Sequence, residues 1–161
     1  MTSSKHTISY QLFNDISELT EDEQYLLSEA RSVTQFAYAP YSNFQVGAFA
    51  KLANGETVSG TNQENASYPA GICAERSLLS TASSIHPGIA VTVMAITYNN
   101  QKGKSAQPAS PCGICRQSLA EHIQRFRSPI KLILSGMEGP VQVFENALDL
   151  LPFSFGANDL A

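Results

Sequence analysis

The segment FQVGAFAKLANGETVSGT, residues 44–61, decides the fold because it joins an alternating apolar pattern to a hairpin turn. Every second residue over 44–52 is apolar, which is typical of a half-buried β-strand, and Asn54-Gly55 is a strong signal for a tight turn. The pattern therefore predicts an antiparallel hairpin whose second strand returns over residues 56–61.

Helical patterns lie on both sides of this hairpin. Thr20-Glu-Asp-Glu23 fits a capping box, and an apolar stripe with helical spacing follows until Pro40 ends it: Leu26, Ala30, Val33 and Ala37. A second stripe covers residues 73–85 and closes at His86-Pro87-Gly88. A third helix is predicted from Pro111-Cys112 to about residue 126.

The rest of the chain completes the predicted sheet. Apolar runs predict three more strands at residues 91–97, 130–134 and 141–144, a polar loop over 99–110, and one or two helical turns over 145–150. The element order α-β-β-α-β-α-β-β-α indicates an α/β fold with one mixed sheet of about five strands flanked by helices.

Composition limits the class of protein. The 161 residues match one domain, and we expect residues 1–18 to be an N-terminal extension and residues 19–161 to form a single domain. Fourteen acidic and ten basic residues give a net charge of −4, which argues against nucleic acid as a partner. There is no apolar run of signal-peptide or membrane-span length, and three cysteines cannot form a complete disulfide framework. We therefore expect a cytoplasmic protein with reduced thiols and no membrane partner.

The three cysteines have the spacing of a metal site. Cys73 is expected at one helix start, and Cys112 and Cys115, three residues apart, at another. Residues i and i+3 of a first helical turn point the same way, and the unpaired amides and dipole there favour thiolates. Three protein ligands leave one tetrahedral position open, which distinguishes catalytic from structural zinc.

Other interpretations of these cysteines stay open at this point. Cys112-x-x-Cys115 alone also fits a redox dithiol, although that leaves Cys73 unexplained. A structural zinc site would need a fourth ligand, and none of the three histidines has ligand spacing to a cysteine. Three unrelated cysteines are the remaining interpretation.

Glu75 adds a second chemical group to the cysteine pattern. It lies two residues after Cys73, so its carboxylate is expected beside water at the metal, where it can shuttle protons. Cys-x-Glu followed later by Pro-Cys-x-x-Cys matches the signature of zinc-dependent nucleobase deaminases. The combination predicts hydrolytic deamination with Glu75 as the catalytic residue.

With these motifs, several further segments give the chain a resemblance to the cytidine deaminase family. The segments, within a likeness that covers residues 36–160, are YSNFQVGA (41–48), GTNQENASYP (60–69), CAER (73–76), SPCGICRQ (110–117) and LLPFSFG (150–156). The resemblance implies a three-layer α/β/α sandwich and conversion of cytidine or deoxycytidine to the uridine nucleoside and ammonia. It also implies one zinc ion per subunit with Cys73, Cys112 and Cys115 as ligands, a set associated with short-chain homotetramers.

The same resemblance implies how the pyrimidine is held. Phe44 would flank the face of the ring, and Glu75 would hold N3 and the 4-amino group while passing protons. The backbone amide of Ala74 and the carbonyl of Ser110 would fix the O2 and amino edges.

For the ribose, the resemblance implies hydrogen bonds from Asn62 and Glu64, chiefly to the 3′-hydroxyl. A carboxylate beside an amide suits a hydroxyl and would repel a nearby phosphate. Without the resemblance, Asn62-x-Glu64 would be interpreted as a polar strand end.

Four more residues take roles from the resemblance. Arg76 and Gln117 would hydrogen-bond the cysteine sulfurs, withdrawing charge from a zinc ion with three thiolates and so restoring its Lewis acidity. Phe155 would reach the site of a neighbouring subunit, and Tyr68 would lie in a similarly shared region. The alternative for Phe155 is local packing against the first helix.

Three other functions stay open on sequence alone. A deaminase of a nucleoside antibiotic or modified cytosine would share the zinc motifs. A polynucleotide deaminase is disfavoured by the net charge and by the lack of a basic run. A zinc module without enzymatic activity is the third, and the sequence does not rank cytidine against deoxycytidine.

Overall fold

Three α-helices, six β-strands and five short 3-10 helices make up the regular structure of residues 1–160, which are the residues that this computed structural model describes. The strands are β1 (Gln11–Phe13), β2 (Phe44–Leu52), β3 (Thr57–Thr61), β4 (Val91–Asn100), β5 (Lys131–Ser135) and β6 (Val141–Phe144). The helices are α1 (Glu21–Val33), α2 (Ala74–Ile85) and α3 (Gly113–Phe126). Residue 161, the last of the predicted domain, lies outside the described residues.

The strands form one mixed sheet in the order β1-β6-β5-β4-β2-β3. β4 and β5 run parallel, and every other neighbouring pair is antiparallel. The predicted hairpin is confirmed, because β2 and β3 pair and Gly55 turns the chain with φ of +88°.

The sheet has six strands rather than about five, and the additional one comes from the predicted N-terminal extension. β1 pairs with β6, and Tyr10, just before it, stacks on Phe144 with ring centroids 5.3 Å apart. A strand of three residues with exposed Leu12 has too short an alternation to be recognised from its sequence.

The helices cover both faces of the sheet, so the three-layer α/β/α sandwich is confirmed. One buried cluster joins α1 to one face through residues such as Leu27, Ala95 and Val143. The other joins α2 and α3 to the opposite face through residues such as Leu78 and Leu119. The predicted capping box at Thr20 and Glu23 begins α1.

Two element boundaries differ from the prediction. The first helix ends at Val33 rather than near Pro40, because the Thr34 hydroxyl donates to the Arg31 carbonyl at 2.7 Å and a 3-10 turn follows. Ala37, predicted on the helical stripe, is extended. β4 continues into the predicted loop as far as Asn100, because it stays paired with the beginning of β2.

Within residues 1–160, no helix combines the length and the apolar character that crossing a membrane requires.

Candidate active site

The three cysteines converge at the N-termini of α2 and α3. Cys73 is the residue that precedes α2, Cys112 precedes α3, and Cys115 lies in the first turn of α3. The Sγ atoms of Cys73 and Cys112 are 3.8 Å apart, those of Cys112 and Cys115 are 3.5 Å apart, and all three lie within 4.8 Å of one another. The sheet therefore brings together residues that are about forty positions apart in the sequence.

This sulfur geometry fits a zinc ion. Four ligands at a Zn–S distance of about 2.3 Å in a tetrahedron are separated by about 3.8 Å, which is close to both observed sulfur distances. The cluster contains three thiols, and within residues 1–160 no histidine or carboxylate joins it as a fourth ligand. A three-ligand set of this kind fits the open coordination of a catalytic zinc site.

Glu75 lies beside the cysteine cluster on the first turn of α2. Its side chain is only 5% exposed, and burial raises the pKa of its carboxyl group, while its own backbone amide and Cys115 act in the opposite direction. A buried carboxyl next to a metal site is placed to exchange protons with a substrate.

A cavity of about 720 Å³ opens in front of the cysteines and Glu75. This volume is within the range of small-molecule sites. Of the residues predicted to bind substrate or metal or to carry out the reaction, nine line it: Phe44, Asn62, Glu64, Tyr68, Cys73, Ala74, Glu75, Ser110 and Cys112. Cys115 lies fully buried behind this wall, and Phe155 does not line the cavity of its own chain.

Asn62 and Glu64 hold the backbone that forms one wall of the cavity. The Asn62 amide accepts a hydrogen bond from the Val46 N–H at 2.7 Å and donates one to the Phe44 carbonyl at 2.9 Å. Glu64 accepts from the backbone N–H groups of Tyr41 at 2.8 Å and Ser42 at 3.3 Å. Both side chains are therefore oriented by β2 and the loop before it.

Hydrogen bonds also keep the Glu64 carboxylate charged. The Ser42 hydroxyl lowers the pKa of Glu64 most, burial acts against it, and the backbone amides of Tyr41 and Ser42 lower it further, so the net shift is downward. The wall of the cavity thus carries a negative charge at Glu64.

Aromatic side chains form the remaining walls. Phe44 stacks on Tyr98 with ring centroids 4.5 Å apart and an interplanar angle of 12°, and Tyr41 meets Tyr68 edge-to-face at 5.9 Å. Sequence reasoning missed Tyr98 because the strand was expected to end at residue 97. Extending the period-2 pattern of β4 by one step from Ile96 would have placed Tyr98 on the cavity face.

Comparison with known proteins agrees with this geometry. A model of the cytidine and deoxycytidylate deaminase zinc-binding region matches residues 20–126, a range that includes the three cysteines and Glu75. The chain belongs to the cytidine deaminase family. A cytidine deaminase from Halalkalibacterium halodurans is 38% identical over 141 residues, which cover 86% of this chain and 98% of that protein.

Solved structures of cytidine deaminases share the fold. The crystal structure of cytidine deaminase from Burkholderia pseudomallei is 36% identical with a TM-score of 0.71, covering 85% of this chain and 100% of that one. The one from Mycobacterium tuberculosis is 30% identical with a TM-score of 0.65, covering 85% and 99%. The zinc-binding region of the family and the cysteine cluster together assign one zinc ion to each chain.

In this member of the cytidine deaminase family, the surroundings of Cys73 favour a thiolate. Hydrogen bonding with Cys115, supported by Cys112 and by the charge of Arg76, lowers the pKa of Cys73 to about 6, although burial and Glu75 act against it. The same contacts and burial raise the pKa of the Cys115 thiol. A zinc ligand must lose its proton, so one ligand is ready for the metal before it binds.

Arg76 and Gln117 occupy different positions relative to the sulfurs. Arg76 lines the cavity and acts on Cys73 through its charge, but within residues 1–160 its guanidinium donates no hydrogen bond to a cysteine sulfur. The Gln117 amide donates to the backbone carbonyl of Phe155 at 2.8 Å. Gln117 therefore ties the C-terminal segment to α3, a contact between distant segments that sequence alone does not reveal.

Proposed function

We propose that this chain is a zinc-dependent cytidine deaminase that hydrolyses cytidine and deoxycytidine to uridine and deoxyuridine, with release of ammonia, in pyrimidine salvage. The observation that carries this proposal is the combination of three zinc-spaced sulfurs and a buried carboxyl at one end of a nucleoside-sized cavity. The net charge of −4 and the lack of a basic run favour a single nucleoside over a polynucleotide.

Cys73, Cys112 and Cys115 would hold zinc, which would supply a Lewis acid that lowers the pKa of water to about 7. Water adds to C4 of the pyrimidine, and the bond between C4 and the amino nitrogen breaks. Glu75 carries a proton from the water to N3, and then carries the hydroxyl proton of the C4 adduct to the amino group, which leaves as ammonia. Atoms and charge balance in this sequence because Glu75 ends in its starting state.

The proposed substrate contacts are made by residues that line the cavity. Phe44 packs on the pyrimidine face, and the Ala74 amide and Ser110 carbonyl hold the O2 and amino edges. Asn62 and Glu64 hold the 3′-hydroxyl of the ribose. The support is that all five residues line one cavity and that the charged carboxylate of Glu64 would repel a phosphate on the sugar.

We also propose a cytoplasmic homotetramer in which neighbouring subunits complete each site, with one zinc ion per subunit. Tyr68 is 76% exposed at the cavity mouth and Phe155 is 59% exposed near the C-terminus, which supports a role for both in contacts with another subunit. Sedimentation of the zinc-loaded protein tests this proposal, because a fully active monomer would contradict it.

The test of function combines metal analysis with the loss of absorbance that accompanies cytidine deamination. We expect one zinc per chain and turnover of both nucleosides. Glu75→Gln should retain zinc and lower kcat by about 10²–10⁴-fold, the usual contribution of general acid–base catalysis. Glu56→Gln on the exposed hairpin is the matched control and should keep full activity.

Each other outcome has a defined meaning. Zinc without turnover would favour a non-enzymatic zinc module and overturn the proposal. Turnover of modified cytosines but not of cytidine would overturn the assigned substrate. Turnover by Glu75→Gln at the wild-type rate would overturn the proton-transfer role.

A further inference from the structure

Gly60 lies on β3 beneath the first turn of α2, the turn that follows Cys73. Gly60 is buried and pairs with Ala48 of β2, which belongs to the buried cluster covered by α2. Ala74, the first residue of α2, and Leu78, one turn later, are fully buried in the same cluster. The strand and the helix thus meet at the point where a zinc ligand enters the helix.

There is no room for a side chain at residue 60. A Cβ atom there would lie 2.5 Å from the carbonyl oxygen of Ala74, 2.5 Å from the backbone nitrogen of Leu78 and 2.8 Å from the Cβ of Leu78. That carbonyl and that amide are the two ends of one helical i→i+4 hydrogen bond. The atoms that exclude a Cβ are therefore rigid backbone rather than the end of a flexible side chain.

The displacement that a Cβ would impose is large compared with the tolerance of a metal site. Moving from 2.5 Å to an ordinary van der Waals separation of 3.4 Å requires about 0.9 Å. Zinc–ligand distances are held within about 0.2 Å. Cys73 directly precedes α2, whereas Cys112 and Cys115 lie at the start of α3, so a shift of α2 alone changes the spacing between the sulfurs.

We propose that Gly60 is a positioning residue for the zinc site. Because Gly60 has no side chain, α2 packs closely on β3. This packing places the Cys73 sulfur where it can share a zinc ion with Cys112 and Cys115, and it places Glu75 beside them. The inference rests on the proposed zinc enzyme, and it extends the site to a residue that touches neither metal nor substrate.

A matched pair of variants of the full chain tests the role. Gly60→Ala introduces the clash under α2, and Gly47→Ala is the control, because a Cβ at residue 47 would overlap the carbonyl oxygen of Ala30 in α1 on the opposite face of the sheet. Both variants are expected to lose stability. Only the first moves a helix that carries a zinc ligand.

The readouts are metal affinity and the absorption of the cobalt-substituted protein, whose sulfur-to-cobalt bands report the number and geometry of the thiolates. For Gly60→Ala we expect altered bands and a zinc dissociation constant raised about 10- to 100-fold, as for groups that orient metal ligands. Gly47→Ala should keep the wild-type bands and affinity at a lower unfolding midpoint. Equal bands and affinity in the two variants would overturn the proposal.

If Gly60→Ala does not fold, the double variant A48G/G60A replaces it. That variant keeps the number of methyl groups under α2 and moves one of them from β2 to β3. Altered cobalt bands support the role of Gly60, and wild-type bands overturn it. Failure of the proposed function is a separate result, because then the wild-type protein itself would lack the thiolate–cobalt bands or cytidine turnover.

Discussion

Acid should destabilise this protein through His122, a buried side chain on α3 that the proposed chemistry does not use. The imidazole is 6% exposed, and its Nε2 accepts a hydrogen bond from the Val91 N–H at 3.1 Å. Only the neutral ring can accept there. Burial, with a smaller contribution from the charge of Arg125, lowers the pKa of His122 from 6.5 to about 4.

The sign and the size of the effect follow from these two pKa values. The unfolded chain binds a proton near pH 6.5 and the folded chain only near pH 4, so the free energy of unfolding is unaffected by His122 above pH 6.5 and decreases as the pH falls from 6.5 to about 4. A shift of this size corresponds to about 3 kcal/mol. The ring also borders a polar groove between α2 and α3, where solvent screens part of the charge, so we expect about 2–3 kcal/mol.

Urea unfolding at pH 7.5 and at pH 4.5 measures this contribution. His122→Gln keeps an acceptor for the Val91 N–H and removes the titration, so the decrease in unfolding free energy between the two pH values should be about 2–3 kcal/mol smaller than in the wild type. His6→Gln, at an exposed position, is the control and should retain the wild-type decrease. An equal pH dependence for wild type and His122→Gln would refute the reasoning.

Three further predictions concern the cavity and the edge of the sheet. Arg76→Gln should retain zinc but lower kcat about 10- to 100-fold, because the charge of Arg76 offsets that of the thiolates. Turnover and metal analysis measure both effects, and unchanged turnover would reject the role of Arg76. Asn62→Ala should raise the KM for cytidine. It should also lower the free energy of unfolding, measured in urea, by about 1–3 kcal/mol, because it leaves the Val46 N–H unpaired. A change in kcat alone would contradict this prediction. Deleting residues 1–13 should lower the free energy of unfolding by about 2–3 kcal/mol, because it removes β1 and the stacking of Tyr10 on Phe144. The kcat should be retained. Full stability of the truncated chain would show that β1 contributes nothing.

Local patterns predicted the parts of the fold that are determined locally. The alternation over residues 44–52, the Asn54-Gly55 turn and the capping box at Thr20 each involve neighbours in sequence, and all three are confirmed. The end of α1 and the length of β4 were wrong because they depend on a hydroxyl–carbonyl contact and on strand pairing. The period-2 pattern of β4 extends as far as Tyr98, but its last residues and the end of α1 leave no periodic signal in the sequence.

The zinc site was predictable because its ligands and Glu75 lie in two short sequence motifs. Cys73, Cys112 and Cys115 gather as their spacing and helix-start positions indicated. The surrounding contacts were not predictable, since they join distant segments. The carbonyl of Phe155 accepts a hydrogen bond from the Gln117 amide. The role of Gly60 depends on the backbone of the helix packed against it.

X-ray absorption at the zinc edge of the resting protein tests most directly whether three thiolates hold a catalytic metal beside Glu75. We expect three sulfur scatterers at about 2.3 Å and one lighter atom that is not contributed by the protein. A fourth sulfur, a histidine ligand, or fewer than three sulfurs would contradict it.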